Sequence, residues 1–271
     1  MTLTNTNRLS LVALALAAVT GSLGAARAAD PAPAVAPTQA TKPTIVLVHG
    51  AFADGTGWQH VIPLLEKDGY TVIAVQNSLT SLDADVTTTQ RVIDAQKGPV
   101  VVVGHSYGGA VITGAAGRPN VRALVYLAAF APEAGEPVGA FNDKVPLGKA
   151  VAPDAAGFLY IDRAKFHAVF CADVPAAEAN IMAVTQKPLA SAIFGQSVPS
   201  PAWKTVPSWY LVSQQDQAID PDLERFYAKR MGAHTSEIKA SHVAFISHPQ
   251  QIARLIEEAA TAPVEQAAAA K

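Results

Sequence analysis

The stretch Val100-Val101-Val102-Val103-Gly104-His105-Ser106-Tyr107-Gly108-Gly109 spells a strand, a tight turn and the start of a helix. Four β-branched residues in a row suit a strand buried on both faces, as central parallel strands covered by helices are. The run breaks at Gly104, and residues 109–117 turn helical in pattern. Glycine on either side of a serine in this context is the G-x-S-x-G elbow. Side chains at 104 and 108 would collide with the neighbouring helix and strand. The two glycines therefore let Ser106 stand in a strained turn at the carboxyl edge of the sheet, where open α/β sheets bind ligands.

Outward from this centre the chain alternates. Apolar β-branched runs at 44–48, 70–75, 121–127 and 208–212, with a weaker one at 236–238, read as strands. Helical patterns at 58–67, 83–96, 221–231 and 249–260 fall between or after them. Strict alternation predicts an α/β fold with a doubly wound, mainly parallel six-stranded sheet over residues 43–261. Residues 132–201 break the rhythm, being rich in Ala and Pro with no convincing β run, and are expected to form an inserted helical cap over the carboxyl edge.

The bulk numbers agree with one large domain: 271 residues, 50% hydrophobic and 15% charged. A formal net charge of −2 gives no basic excess to attract nucleic acid. Residues 1–28 read as a secretory signal, with Arg8 ahead of an apolar run at 9–19 and a small-x-small site at Ala26-Arg27-Ala28. The expectation is an exported protein, periplasmic or secreted, cleaved after Ala28. The apolar run is shorter than the roughly 20 residues of a membrane helix, so no stable span is expected. Residues 29–42 read as a linker and 262–271 as a low-complexity tail. Cys171 is the only cysteine, so no internal disulfide can form, and a small buried apolar role is expected for it.

A serine hydroxyl needs a base within hydrogen-bond reach and a third group to orient that base. Of seven histidines, His242 stands out, since it follows the last strand-like run in the short loop before the C-terminal helix. His248, beside Pro249, is the nearest rival and reads as a helix start. His49 and His105 flank turns, where shaping the backbone is their expected job; His60, His167 and His234 lie in helical or linking segments. For the acid, Asp216 ends the run 209–212 after Ser213-Gln214-Gln215, again at the carboxyl edge. Asp220 and Asp222 around Pro221 look like helix-capping residues, and Glu133 is a more distant choice.

His49-Gly50-Ala51-Phe52 follows the first strand, where the N–H of Ala51 could face a developing oxyanion together with the N–H of Tyr107. Phe52, Trp58 and Tyr107 could line a pocket for an acyl or alcohol group, with Trp58 reading mainly as core and Phe52 as the candidate substrate contact. No paired Cys or His at metal-ligand spacing, no G-x-G-x-x-G and no Walker sequence is present, so neither metal nor cofactor is implied.

Val46-Leu47-Val48-His49-Gly50-Ala51, Gly104 to Gly109 and Ser241-His242-Val243-Ala244-Phe245-Ile246-Ser247-His248-Pro249 together resemble the α/β-hydrolase superfamily. More narrowly, they are similar to the branch that holds plant methyl-ester esterases, hydroxynitrile lyases and many bacterial hydrolases. The resemblance spans about 44–260 and implies a cofactor-free Ser-His-Asp enzyme with a small helical cap and a buried pocket for compact esters. Lyases of this branch carry a lysine after the catalytic histidine and a threonine where this chain has Gly50; Val243 and Gly50 therefore favour ester hydrolysis. The plant members read Ser-Lys-Pro at Ser247-His248-Pro249. The expected partner is thus a small-molecule ester. A ligand-binding protein on the same scaffold, or a lyase or carbon–carbon hydrolase using the same three residues, are the alternatives.

Overall fold

The hydrophobic runs and their punctuation set the course of the chain through a computed structural model that describes residues 42–142 and 145–263. Strand β1 (Thr44–Val48) leads through a 3-10 turn (Gly55–His60) to α1 (Ile62–Lys67), β2 (Val72–Val75), α2 (Leu82–Asp94), β3 (Val100–His105), α3 (Tyr107–Ala115) and β4 (Val121–Leu127). An insertion then carries β5 (Val151–Pro153), β6 (Phe158–Ile161), α4 (Arg163–Phe170), α5 (Ala176–Thr185) and β7 (Leu189–Ala190). The chain returns as β8 (Ser208–Ser213), α6 (Pro221–Met231), β9 (His234–Ile238), α7 (Ala244–Ser247) and α8 (Pro249–Thr261). The segments read from the sequence as a secretory signal (1–28), nearly all of a linker (29–42) and most of a tail (262–271) lie outside the described residues.

Six strands pair in the order β2-β1-β3-β4-β8-β9, every neighbour parallel. Val100 to Val103 are wholly buried, which is why this run carries no alternation of polar and apolar residues. Right-handed crossovers put α1 on one face and α2 and α3 on the other, because the strand order reverses direction at β1. The loops after β1 and β3 therefore diverge at a topological switch point and open a crevice between them.

Local chemistry explains where the elements begin. Ser81 caps α2 by accepting the N–H of Ala84, and Asp220 caps α6 by accepting the N–H of Asp222. Residues 58–67, read as one helix, split at Val61, because Pro63 can sit only in the first turn of α1 and lacks the N–H an interior position needs. In the insertion the expectation of a purely helical cap needs correcting: β5, β6 and β7 form a three-stranded antiparallel sheet. These strands are two to four residues long, too short to leave a periodic trace. At the neck of the insertion Arg230 pairs with Glu136 at 2.6 Å and also donates to the carbonyl of Ala131, while Trp203 Nε1 donates to that of Pro132 at 3.1 Å.

Candidate active site

Ser106 sits between β3 and α3 with φ 53° and ψ −124°, a left-handed conformation that costs a non-glycine residue about 1–3 kcal/mol. Backbone hydrogen bonds hold it there. Its N–H donates to Leu127 at 3.2 Å, and its carbonyl accepts from Gly109 at 2.9 Å and Phe130 at 3.1 Å. The flanking glycines are required by close approach. A Cβ on Gly104 would stand 2.7 Å from the carbonyl oxygen of Gly108, and one on Gly108 would stand 2.4 Å from that of Val48.

The loop after β9 brings His242 to the same edge of the sheet, and the loop after β8 brings Asp216. The two meet in a buried hydrogen bond of 2.5 Å between Nδ1 and Oδ2. A carboxylate only accepts, so Nδ1 is the donor in this bond. Asp216 Oδ1 accepts the N–H groups of Ala218 at 2.6 Å and Ile219 at 2.9 Å, which fixes the carboxylate plane. Nε2 of His242 is buried and makes no hydrogen bond among the described residues, so none joins it to the Ser106 hydroxyl in this structure. The imidazole nevertheless lies against the elbow, its ring centroid 4.5 Å from that of His105, the residue before the serine.

His105 does more than flank a turn. Its Nε2 donates to the backbone carbonyl of His242 at 2.9 Å, tying the loop after β9 directly to β3. Burial, with the neighbouring His242 adding to it, holds its imidazole well below the ordinary histidine range, so it stays neutral. His49 plays a parallel part after β1. Its Nδ1 donates to the Gly50 carbonyl at 2.8 Å and its Nε2 accepts the N–H of Asn77 at 3.0 Å, while Asn77 Nδ2 returns a bond to the His49 carbonyl at 2.9 Å. Burial again lowers its pKa, as an accepting imidazole requires.

Those clamps leave the N–H groups of Ala51 and Tyr107 with no protein acceptor among the described residues. Both residues line a cavity of about 40 Å³ with Ser106, Phe52 and Phe130. Phe52 itself has φ 58°, a second non-glycine residue in the left-handed region beside the site. The Tyr107 phenol points away and donates to Asp85 Oδ2 at 2.8 Å, anchoring the first turn of α3. A larger cavity of about 350 Å³ shares Phe52, Asn142, Leu147 and Phe194 with the small one. Neither lining contains a charged side chain among the described residues.

The other candidates are engaged elsewhere. His248 Nδ1 bonds Ser247 Oγ at 2.8 Å, His60 pairs with Glu178 at 2.8 Å, His167 bonds the Val174 carbonyl at 2.9 Å and His234 stacks on Trp209. Glu133 pairs with Lys204 at 2.6 Å, and Asp222 with Arg225 at 2.7 Å. Trp58 is wholly buried against Phe245. Burial pushes the Cys171 thiol up to about 12, far from a reactive thiolate. Sequence reading missed Glu224, a wholly buried carboxyl that accepts the Ser213 N–H at 3.0 Å. Burial and the neighbouring Asp216 charge raise its pKa well above the usual carboxylate range. Its sequence signal was only that of one more acidic residue on an amphipathic helix.

A six-stranded parallel sheet with a serine elbow after its third strand and a buried His–Asp pair at the same edge defines an α/β hydrolase. The chain belongs to that family: the alpha/beta hydrolase family model matches residues 45–255. Among curated relatives, the pyrethroid hydrolase of Sphingobium wenxiniae is 28% identical over 255 residues, covering 82% of this chain and 89% of that protein. The crystal structure of a pyrethroid hydrolase from Sphingobium faniae superposes with a TM-score of 0.71 at 24% identity, covering 82% of this chain and 99% of that one. A methylesterase structure from Arabidopsis superposes with a TM-score of 0.67 at 18% identity, covering 80% and 98%, and shares the fold. Hydrolysis is thus the activity at the level of the family.

Proposed function

We propose that the protein is a serine hydrolase that cleaves small carboxylic esters by a two-step acyl-enzyme mechanism. Ser106 attacks the ester carbonyl as His242 Nε2 takes its proton, and Asp216 stabilises the imidazolium that forms. The tetrahedral oxyanion is received by the N–H groups of Ala51 and Tyr107, each such donor being worth about 3–4 kcal/mol in the transition state. His242 then protonates the departing alcohol, and water releases the acid by the reverse route. The observation that carries this reading is the buried His242–Asp216 bond with Nε2 left unpartnered beside the elbow. The open contact between Ser106 and His242 is compatible with it, since such bonds commonly tighten only when substrate binds.

Among the described residues the cavity linings carry no charged side chain, which favours neutral esters over substrates carrying a carboxylate or phosphate, because an anion there would lose its hydration without a partner among them. The pyrethroid hydrolase among the relatives points to esters as well. Replacing Ser106 by Ala should lower hydrolysis of short p-nitrophenyl esters by about 10⁶-fold. Undiminished turnover would end the assignment, and a folded protein that hydrolyses nothing and ignores a fluorophosphonate probe would mark a ligand-binding protein instead. Export is part of the same proposal: N-terminal sequencing of the protein from its native host should begin at Ala29.

A further inference from the structure

The insertion reaches the proposed base through one carboxylate. Asp173 lies between α4 and α5, and both of its oxygens turn to the segment that carries His242. Oδ2 accepts the N–H of Ser241 at 3.0 Å and the hydroxyl of Ser247 at 2.8 Å, and Oδ1 accepts the hydroxyl of Ser241. Ser241 is the residue before His242, and Ser247 closes α7 just after it, so one side chain clasps the segment on both sides of the imidazole. These contacts join residues 68 and 74 positions apart.

The imidazole is then held from four directions. Asp216 takes Nδ1, His105 takes the His242 carbonyl, and the Phe170 ring packs on the imidazole with centroids 5.1 Å apart. Asp173, three residues after Phe170, fixes the preceding peptide. Two of these contacts come from the sheet edge and two from the insertion. Burial works against ionising Asp173, but the bonds from Ser241 and Ser247 outweigh it and leave its pKa below the ordinary value, so it accepts all three bonds as a carboxylate.

We propose that Asp173 is a positioning residue for His242, coupling the insertion to the alignment of the base with Ser106. The proposal rests on the Ser106–His242 reading above. Misplacing an acid–base group by an ångström costs up to about 100-fold in rate even when substrate still binds. A clasp of this kind therefore acts on kcat, whereas an insertion that only walls the pocket acts on KM.

The test compares Asp173→Ala, Asp173→Asn and the double variant Ser241→Ala/Ser247→Ala with the parent protein, using p-nitrophenyl ester kinetics, the rate of fluorophosphonate labelling and thermal melting. Asp173→Ala should lower kcat about 10- to 100-fold with KM little changed, and labelling should slow in parallel. Asp173→Asn should stay close to the parent. Its amide oxygen can accept the Ser241 N–H and the Ser247 hydroxyl, and its NH₂ can donate to Ser241 Oγ. The double serine variant, which keeps the Ser241 N–H bond, should fall between. A folded Asp173→Ala protein with parental kcat, a loss confined to KM, or an Asp173→Asn protein as impaired as Asp173→Ala overturns the proposal. If Asp173→Ala does not fold, parental kcat in the double serine variant does so. Ser106→Ala measured alongside separates the failures: residual hydrolysis there sinks the acyl-enzyme reading, whereas its loss together with a normal Asp173→Ala sinks only this one.

Discussion

The elbow between β3 and α3 and the insertion between β4 and β8 face one another across the same cavity, and they are built on different principles. Around the elbow, backbone pairs with backbone. Ser106 is gripped through its own N–H and carbonyl, parallel strands lie on both sides, and the glycines remove any room to shift. The insertion is made of short helices, 3-10 turns and strands of two to four residues, joined to the rest by side-chain contacts through Arg230, Trp203 and Asp173 as well as by scattered backbone bonds such as that from the Ala190 N–H to the Leu79 carbonyl. On the proposed mechanism the contrast separates two duties: the sheet edge would hold the reacting groups in one place, and the insertion would supply much of the wall, uncharged among the described residues, against which a substrate is sorted.

Variants on the two sides should therefore fail in different ways. The largest effect is expected at the sheet edge, where Asp216→Asn leaves the shape intact but lets the imidazole take the wrong tautomer. It should lower kcat about 10⁴-fold with a melting temperature near that of the parent. Retained turnover in that variant would move the orienting role to another carboxyl, for which Glu224, the neighbour of Asp216, is the candidate. Gly108→Ala should come next, as a loss of about 3 kcal/mol read by chemical denaturation, because its new methyl meets the backbone of β1 rather than a movable side chain.

Across the cavity, Leu147→Ala enlarges the wall without touching the reacting groups. It should change the ratio of kcat/KM between short and long acyl esters by about tenfold while the turnover of a short ester stays near that of the parent. An equal loss on every ester would erase the division of duties drawn above. The most gradual effect concerns pH. His49 and His105 have folded-state pKa values depressed by burial below 6.5, so the unfolded chain takes up protons first. Their contribution to stability is complete above that value and is lost as the pH falls below it toward the folded-state values. Each histidine adds a slope of at most about 1.4 kcal/mol per pH unit. Melting curves between pH 7.5 and 5 should show the fall, and a flat profile would mean that neither ring is held neutral.

Much of the sheet could be read directly from the chain, because its strands are continuous apolar runs and its turns carry glycines that steric contact makes obligatory. Val100 to Val103, Gly104 and Gly108 are cases where a few neighbouring residues already state the geometry. The placement of Asp216 and His242 in loops after strands was equally local, and the structure joins them by a hydrogen bond. Other features had no local signature. Asp173 in an Ala- and Pro-rich segment looks like any solvated carboxylate, and Glu224 like one more acidic residue on an amphipathic helix. The bond from His105 to the His242 carbonyl spans 137 positions, which no periodicity encodes.

Composition and short-range pattern thus determined the α/β alternation, the elbow and the order in which serine, acid and histidine appear. Only the tertiary structure decided which carboxylates are buried, what clasps the histidine loop, and which uncharged side chains among the described residues wall the cavity beside Ser106. The physical reason is range. Steric exclusion and hydrophobic burial act on neighbours a few residues apart and leave their mark in the sequence. Hydrogen bonds and desolvation depend on which distant segments the finished fold presses together.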